Sequence, residues 1–310
     1  MFKQILLFVI SFGISQHFNN VPLAASPFEG DPGVEVVIES GNFEAPYEST
    51  PMAVVNAMLK MAAVGPGQFL IDLGSGDGRI VITAAKRFGA RGLGVDRNQK
   101  LVELSRQYAK EEGVSGRTAF YVQDLFSTDL SKADVVTLYL VPEVNLRLRP
   151  KLLKELRPGA RVVSHDYHMG DWRPDQIMVL DVSRTDYENS ILYLWTIPAQ
   201  AAGIWTWRLP FAGEEQKVEL KLDQAFQDIQ GVAGNGKRNW RLFQTSLKGP
   251  RINFSFVIEV NERLVRQDYE GVIQGDRMEG TVRLSGAVEE TRRKWRAVKV
   301  EPGAGIVPPR

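Results

Sequence analysis

Asp72-Leu73-Gly74-Ser75-Gly76-Asp77-Gly78 is the stretch that most narrows what this chain can become. It follows the apolar run Phe69-Leu70-Ile71 without a break. Ile80, Ala84, Ala85 and Phe88 come next at helical spacing, closed by Gly89. An acidic, glycine-rich turn between a strand and a helix lets the backbone bend sharply and approach a ligand that a Cβ would push away. The helix behind it aims its free N–H groups at that ligand. A dinucleotide fingerprint would need a small residue at position 79, and Arg79 stands there; a phosphate loop ending in Gly-Lys-Ser/Thr is absent.

Strand and helix signals keep alternating after the turn. Before it, Ser49-Thr50-Pro51 predicts a helix start, with Thr50 capping the first amides and Pro51 in the first helical position. Val54, Met58 and Met61 give that helix its apolar face. Beyond the turn, a strand over 92–95 ends at Asp96, and Asn98 caps a helix carrying Leu101, Leu104 and Tyr108. A third strand over 119–122 stops short of Asp124. A fourth over 134–141 is nearly all apolar, and residues 142–156 read as a helix that Pro150 restarts. A fifth strand over 161–164 ends at His165-Asp166. Such alternation predicts βαβ units and a parallel sheet with helices on both faces.

From residue 203 to 300 the pattern changes to short alternating runs such as Ile252, Phe254, Phe256, Ile258 and Val260. Asn235-Gly236, Gly249-Pro250 and Gly275-Asp276 punctuate them, which predicts a separate antiparallel β domain, barrel or sandwich. With 310 residues at about 150 per domain, two domains are expected. The predicted boundaries are 1–26 for an address, 27–198 for the α/β domain, 199–300 for the β domain and 301–310 for a loose tail. Trp205, Trp207, Trp240 and Trp295 sit at strand spacing and read as β-domain core before they read as a stacking surface.

Charge and composition remove several functions. Lys plus Arg number 38 against 37 Asp plus Glu, so the basic excess of a nucleic-acid binder is missing. The chain has no cysteine, which excludes disulfides, thiolate zinc sites and a cysteine nucleophile. Only three histidines are present, and no metal is expected.

The acidic turn resembles motif I of class I S-adenosylmethionine-dependent methyltransferases, which implies a Rossmann-like methyltransferase sheet. The cofactor's methionine end is cationic, and Asp72 suits it where a pyrophosphate would be repelled. The resemblance implies that Asp72, Gly74, Gly76 and Gly78 bind S-adenosyl-L-methionine, that Asp96 takes the ribose hydroxyls, and that Asp124 accepts from the adenine amine beside Leu125 and Phe126. Within that superfamily, Pro46 to Pro51, Asp72 to Ile82, Thr137 to Pro142 and Val163 to Asp166 with Trp172-Arg173-Pro174 look like bacterial relatives of the ATP synthase c-subunit lysine methyltransferase family. The first of these departs from the family's Pro-Tyr-Val-Pro-Thr-Pro by reading Pro46-Tyr47-Glu48-Ser49-Thr50-Pro51. The resemblance covers residues 44 to 175 and implies a protein lysine, or another small N/O nucleophile, as methyl acceptor.

Open α/β sheets bind ligands at the carboxyl ends of their strands. Tyr139, His165 and Asp166 are therefore the catalytic candidates and Pro142, Glu143 and Asn145 substrate-binding ones, and the resemblance over Pro46 to Pro51 implies Tyr47 and Thr50 beside the substrate entrance. His165 and His168 admit three readings: a proton acceptor, a metal pair with Asp166 or Asp171, or a hydrogen-bonded strand end and loop. A rival function keeps the fold without turnover, as an exported binding protein whose β domain is the active module.

The N-terminus reads as an address. Lys3, an apolar run over 5–14 and Leu23-Ala24-Ala25-Ser26 predict export to the periplasm or anchoring in the membrane. The run of about 10 residues is short for a membrane span. A mis-assigned start would leave the protein cytoplasmic. A periplasm-dependent reporter fused after Ser26 separates these outcomes, and a silent reporter contradicts export.

Overall fold

The computed structural model describes residues 48–181, 189–211, 214–260, 262–286 and 290–306. The predicted address lies outside them, as do Tyr47 and the last residues of the tail.

The first half runs α1 (Met52–Met61), β1 (Phe69–Leu73), α2 (Arg79–Phe88), β2 (Arg91–Asp96), α3 (Gln99–Glu111), β3 (Thr118–Val122), β4 (Val135–Leu138), α4 (Pro142–Glu155), β5 (Arg161–His165), β6 (Gln176–Asp181) and β7 (Asn189–Thr196). The strands form one sheet in the order β3-β2-β1-β4-β5-β7-β6. Strand alternation divides β1 between two cores. Leu70 packs with α1, α2 and α3 on one face, whereas Ile71 and Leu73 pack with Leu148 and Leu152 of α4 on the other.

Four expectations need correction. The sheet is mixed, because β7 runs antiparallel to both β5 and β6. Seven residues separate β6 from β7, too few for the crossover a parallel pair requires. Strand β4 ends at Leu138, three residues early, and residues 139–141 leave the sheet to enter α4. Helix α4 is continuous through Pro150; the carbonyl that the missing N–H would have served belongs to Leu146, which is exposed to water. At α1, Pro51 occupies the cap position and no side chain caps the helix. Thr50 is instead buried, and its carbonyl accepts from Arg79 at the start of α2.

The second half is β8 (Gly203–Phe211), β9 (Glu214–Ala225), β10 (Asp228–Gly234), β11 (Asn239–Arg241), β12 (Phe243–Lys248), β13 (Arg251–Val260), β14 (Arg263–Gln274), β15 (Arg277–Gly286) and β16 (Thr291–Pro302). They make one antiparallel sheet in the order β11-β10-β9-β8-β16-β15-β14-β13-β12. Its two ends approach each other, with Leu242 N donating to Gly231 O at 3.2 Å, so the sheet is a nearly closed barrel and not a sandwich. All three turn pairs fall between strands as expected. Trp205, Trp207 and Trp295 are buried inside with Phe254, Phe256 and Tyr269, and Trp240 stacks on Phe256 at 5.8 Å. These tryptophans are core.

Candidate active site

The glycine turn forms the floor of a cavity of about 380 Å³, lined by residues from the ends of β1, β2 and β4, the stretch after β3 and the segment 48–50. That volume lies within the range of small-molecule sites. Gly74 and Gly78 both adopt φ +80. A Cβ on Gly78 would meet Phe120 and Ser105 at 2.7 Å, and one on Gly74 would meet Leu140 at 2.8 Å. The turn therefore packs against β3, α3 and the end of β4 only as glycine.

Register sets the first carboxylate. Asp72 lies opposite Thr137 on the neighbouring strand, and Thr137 Oγ1 donates to Asp72 Oδ1 at 2.7 Å. Burial pushes the Asp72 carboxyl up to about 7, the Thr137 hydrogen bond opposes the shift, and the nearby Asp96 and Asp77 reinforce it. A cation arriving here would be welcomed by a carboxylate otherwise reluctant to ionise.

Asp96 ends β2 and is held from two sides, by Gly76 N at 2.9 Å on Oδ2 and Asn98 N at 2.8 Å on Oδ1. Each oxygen keeps a free lone pair for a diol. Asp124 accepts from Phe126 N at 2.8 Å and pairs with Arg97. The Phe126 backbone bond, opposed by a smaller burial effect and reinforced by Arg97, holds its carboxyl below the usual range. Leu125 and Phe126 supply an apolar wall, with the Arg147 guanidinium 4.6 Å over the Phe126 ring. Ser75, also in the lining, has a buried hydroxyl with no partner. Carboxylates for an ammonium, a diol and an amine, spaced along a half-apolar cavity, fit S-adenosylmethionine.

A buried ion pair without a mark in the sequence pattern fixes the rim. Asp77 takes Arg79 Nε at 3.0 Å on both oxygens and Nη2 at 2.6 Å. Arg79 Nη1 then donates to the Thr50 carbonyl at 3.0 Å. The residue that disqualified a dinucleotide site thus pins segment 48–51 against the glycine turn. This brings Glu48 to the cavity, where its carboxylate accepts from the Tyr139 hydroxyl; burial and that charge push the Tyr139 phenol up and keep it protonated.

Around Tyr139 lie most of the remaining candidates. The His165 ring packs against it at 4.0 Å, tilted by 35°, and the Tyr167 ring stacks at 6.3 Å. His165 is 0% exposed, so in this structure its imidazole has no face open to solvent. Its Nε2 meets Ser190 Oγ at 3.0 Å and Asp166 Oδ2 at 3.3 Å, Nδ1 has no partner, and burial pushes the imidazole down despite Asp166 and Glu48. His168 points elsewhere, accepting from Gly170 N. Asp166, in contrast, keeps a partly exposed carboxylate and adopts φ +59, anchored by Ile191 N on Oδ1 at 2.8 Å. Of the substrate candidates, Thr50 reaches the cavity. Pro142 and Glu143 begin α4 just outside its lining. Asn145 is fully buried, donating to Ser164 Oγ and the Tyr167 carbonyl, and is a brace between α4 and β5.

Sheet order, an acidic glycine turn after the first strand and carboxylates at the next two strand ends define a class I methyltransferase, and its cofactor is S-adenosylmethionine. Known proteins share this half of the chain. Residues 72–176 match the ANTKMT methyltransferase domain. A protein-lysine N-methyltransferase of Saccharolobus islandicus is 40% identical over 153 residues, covering 49% of this chain and 93% of that protein. The ATP synthase c-subunit lysine N-methyltransferase of Homo sapiens is 38% identical over 132 residues, which cover 43% of this chain and 56% of that protein. Among solved structures, an RNA methyltransferase from Salinibacter ruber in complex with S-adenosyl-L-homocysteine shows 49% identity, covers 48% of this chain and 94% of its own, and has a TM-score of 0.45. The chain belongs to the S-adenosylmethionine-dependent methyltransferase family that includes the Saccharolobus enzyme.

Proposed function

We propose that this protein methylates a lysine amine of a protein acceptor. One observation carries the reading. Tyr139 and Glu48 line the cavity just past the end of β4, and the Tyr139 ring feels the charges of both Glu48 and Asp166 and lies 6.3 Å from the Tyr167 ring. Aromatic faces and carboxylates together attract an ammonium group. The lysine specificity named for the Saccharolobus and human relatives supports the same acceptor.

S-adenosylmethionine supplies an electrophilic methyl group on a sulfonium. The chain's own work is placement. Asp72 would face the ammonium, Asp96 the ribose and Asp124 the adenine amine, with Leu125 against the ring. At the acceptor end, a lysine must lose a proton from Nζ before the nitrogen can attack, and Glu48 and Asp166 are the accessible carboxylates for it. Tyr139, protonated and hydrogen-bonded to Glu48, orients that carboxylate, and the aromatic wall withholds water from the transfer. Among the described residues, the barrel interior is an apolar core built around Trp205, Phe254 and Tyr269.

Mass spectrometry of parent and deletion strains is expected to show one or more lysines that lose methyl mass, restored by the parent gene. With the Glu48→Gln variant, kcat for the identified acceptor should fall and its KM rise about fivefold, while cofactor affinity holds. Loss of methyl mass from another residue type, with lysines untouched, would contradict the proposal.

A further inference from the structure

The barrel presses one turn into the methyltransferase half. Ala225 pairs with Asp228, so Phe226 and Gln227 form the two-residue β9–β10 turn. Phe226 adopts φ +53. Two-residue hairpins usually give such a position to glycine or asparagine, and a residue with a Cβ is strained there. Phe226 nevertheless does not serve the barrel's own core. Its buried ring belongs to the apolar cluster beneath α4.

There it stacks on Trp172 at 5.7 Å and 15°, with the Arg149 guanidinium 5.3 Å from its centroid. Arg149 also donates to the Met169 carbonyl at 2.8 Å and pairs with Asp171. Gln227 grips the same segment twice: Oε1 accepts from Trp172 Nε1 at 2.9 Å, and Nε2 donates to the Arg173 carbonyl at 2.8 Å. Residues 169–173 are thus held by the barrel's turn. They follow Asp166 and Tyr167, which neighbour the cavity-lining Tyr139: the Tyr167 ring lies 6.3 Å from it and the Asp166 charge reaches it.

We propose that Phe226 and Gln227 are positioning residues for methyl transfer. The barrel's β9–β10 turn fixes the loop from 166 to 175, and through it places Asp166 and Tyr167 against Tyr139. A strained turn aimed at this one loop is expected if its placement matters, and a mere tether between two sheets would need neither the strain nor the paired hydrogen bonds. The proposal rests on the amine-acceptor reading above.

The test uses the full chain and two variants. Phe226→Gly removes the wedge and relaxes the turn, so the barrel should keep its fold; Gln227→Ala removes both hydrogen bonds. In each, hydrogen exchange should accelerate over 166–175 while the barrel strands stay protected. The chain has three histidines, and the ring signals of His165, packed 4.0 Å from the Tyr139 ring, should shift in the proton spectrum. With poly-L-lysine as the acceptor probe, KM should rise about tenfold with S-adenosylmethionine affinity unchanged, and Phe226→Tyr should restore the parent value. Unchanged exchange over 166–175 and unchanged His165 signals in both variants would overturn the proposal. So would losses of cofactor and acceptor affinity that track each other. If the parent chain leaves poly-L-lysine unmethylated, the amine reading fails alone, and exchange with the His165 signals still decides the role of the turn.

Discussion

The two sheets bury their interiors on opposite principles. In the barrel half, among the described residues, the buried polar side chains are Ser255 on the outer face and Gln267 inside, and both are hydrogen-bonded. Ser255 Oγ donates to Asp268 at 2.6 Å, and Gln267 Oε1 accepts from the Tyr269 hydroxyl at 2.6 Å. The mixed sheet buries Asp72, Asp77, Arg79, Thr137, Asn145 and His165. It also holds the three buried side-chain atoms that, among the described residues, have no partner, on Ser75, Asn145 and His165. Unsatisfied polar groups are costly, so a fold keeps them where they serve a ligand or hold a strained site. The contrast places the chemistry in the first half and the rigidity in the second.

Substitutions can break the contrast. Arg79→Ala strands the Asp77 carboxylate in a buried site, and urea unfolding should show a loss of about 3–5 kcal/mol. Release of segment 48–51 should weaken cofactor binding at the same time. Phe254→Ala in the barrel should cost a similar loss of about 3–5 kcal/mol through its cavity, yet leave cofactor affinity intact. If both variants changed binding equally, stability and chemistry would not be divided between the sheets.

The next effect is smaller and depends on pH. Asp72 has a folded carboxyl near 7 against an ordinary value of 3.8, so between those values the folded chain holds a proton that the unfolded chain releases. Stability of the ligand-free protein should therefore fall as pH rises, by on the order of 2–3 kcal/mol from pH 5 to pH 7. Asp72→Asn should flatten that slope. Cofactor binding should run the other way in the parent chain, tightening as the carboxylate ionises. A pH-independent unfolding midpoint would show that Asp72 is not the strained group.

Much of this is legible in the sequence, for reasons the residues explain. Asp72, Asp96 and Asp124 each end or follow a strand whose apolar run is short and bounded, so position can be read from pattern. Strands β6 and β7 escape that reading because no turn pair marks the sequence between them. Glu48 carries no periodic signal; it is held at the cavity by long-range bonds, Arg79 to the Thr50 carbonyl and the Tyr139 hydroxyl to its own carboxylate. Asn145 does not face substrate, and its spacing carries the reason. It shares the i, i+3, i+7 face of Leu148 and Leu152, and that face is the buried one. The barrel's turn at Phe226 leaves no sign, since a phenylalanine at positive φ has no sequence signature.

The central claim is that the cavity over the glycine turn holds S-adenosylmethionine through the carboxylate of Asp96. Calorimetric titration of the chain with S-adenosylmethionine tests it directly, with Asp96→Ala alongside. One-site binding that weakens on the order of 100-fold in the variant is the predicted result. Absence of binding to the parent chain, or equal affinity in the two, would contradict it.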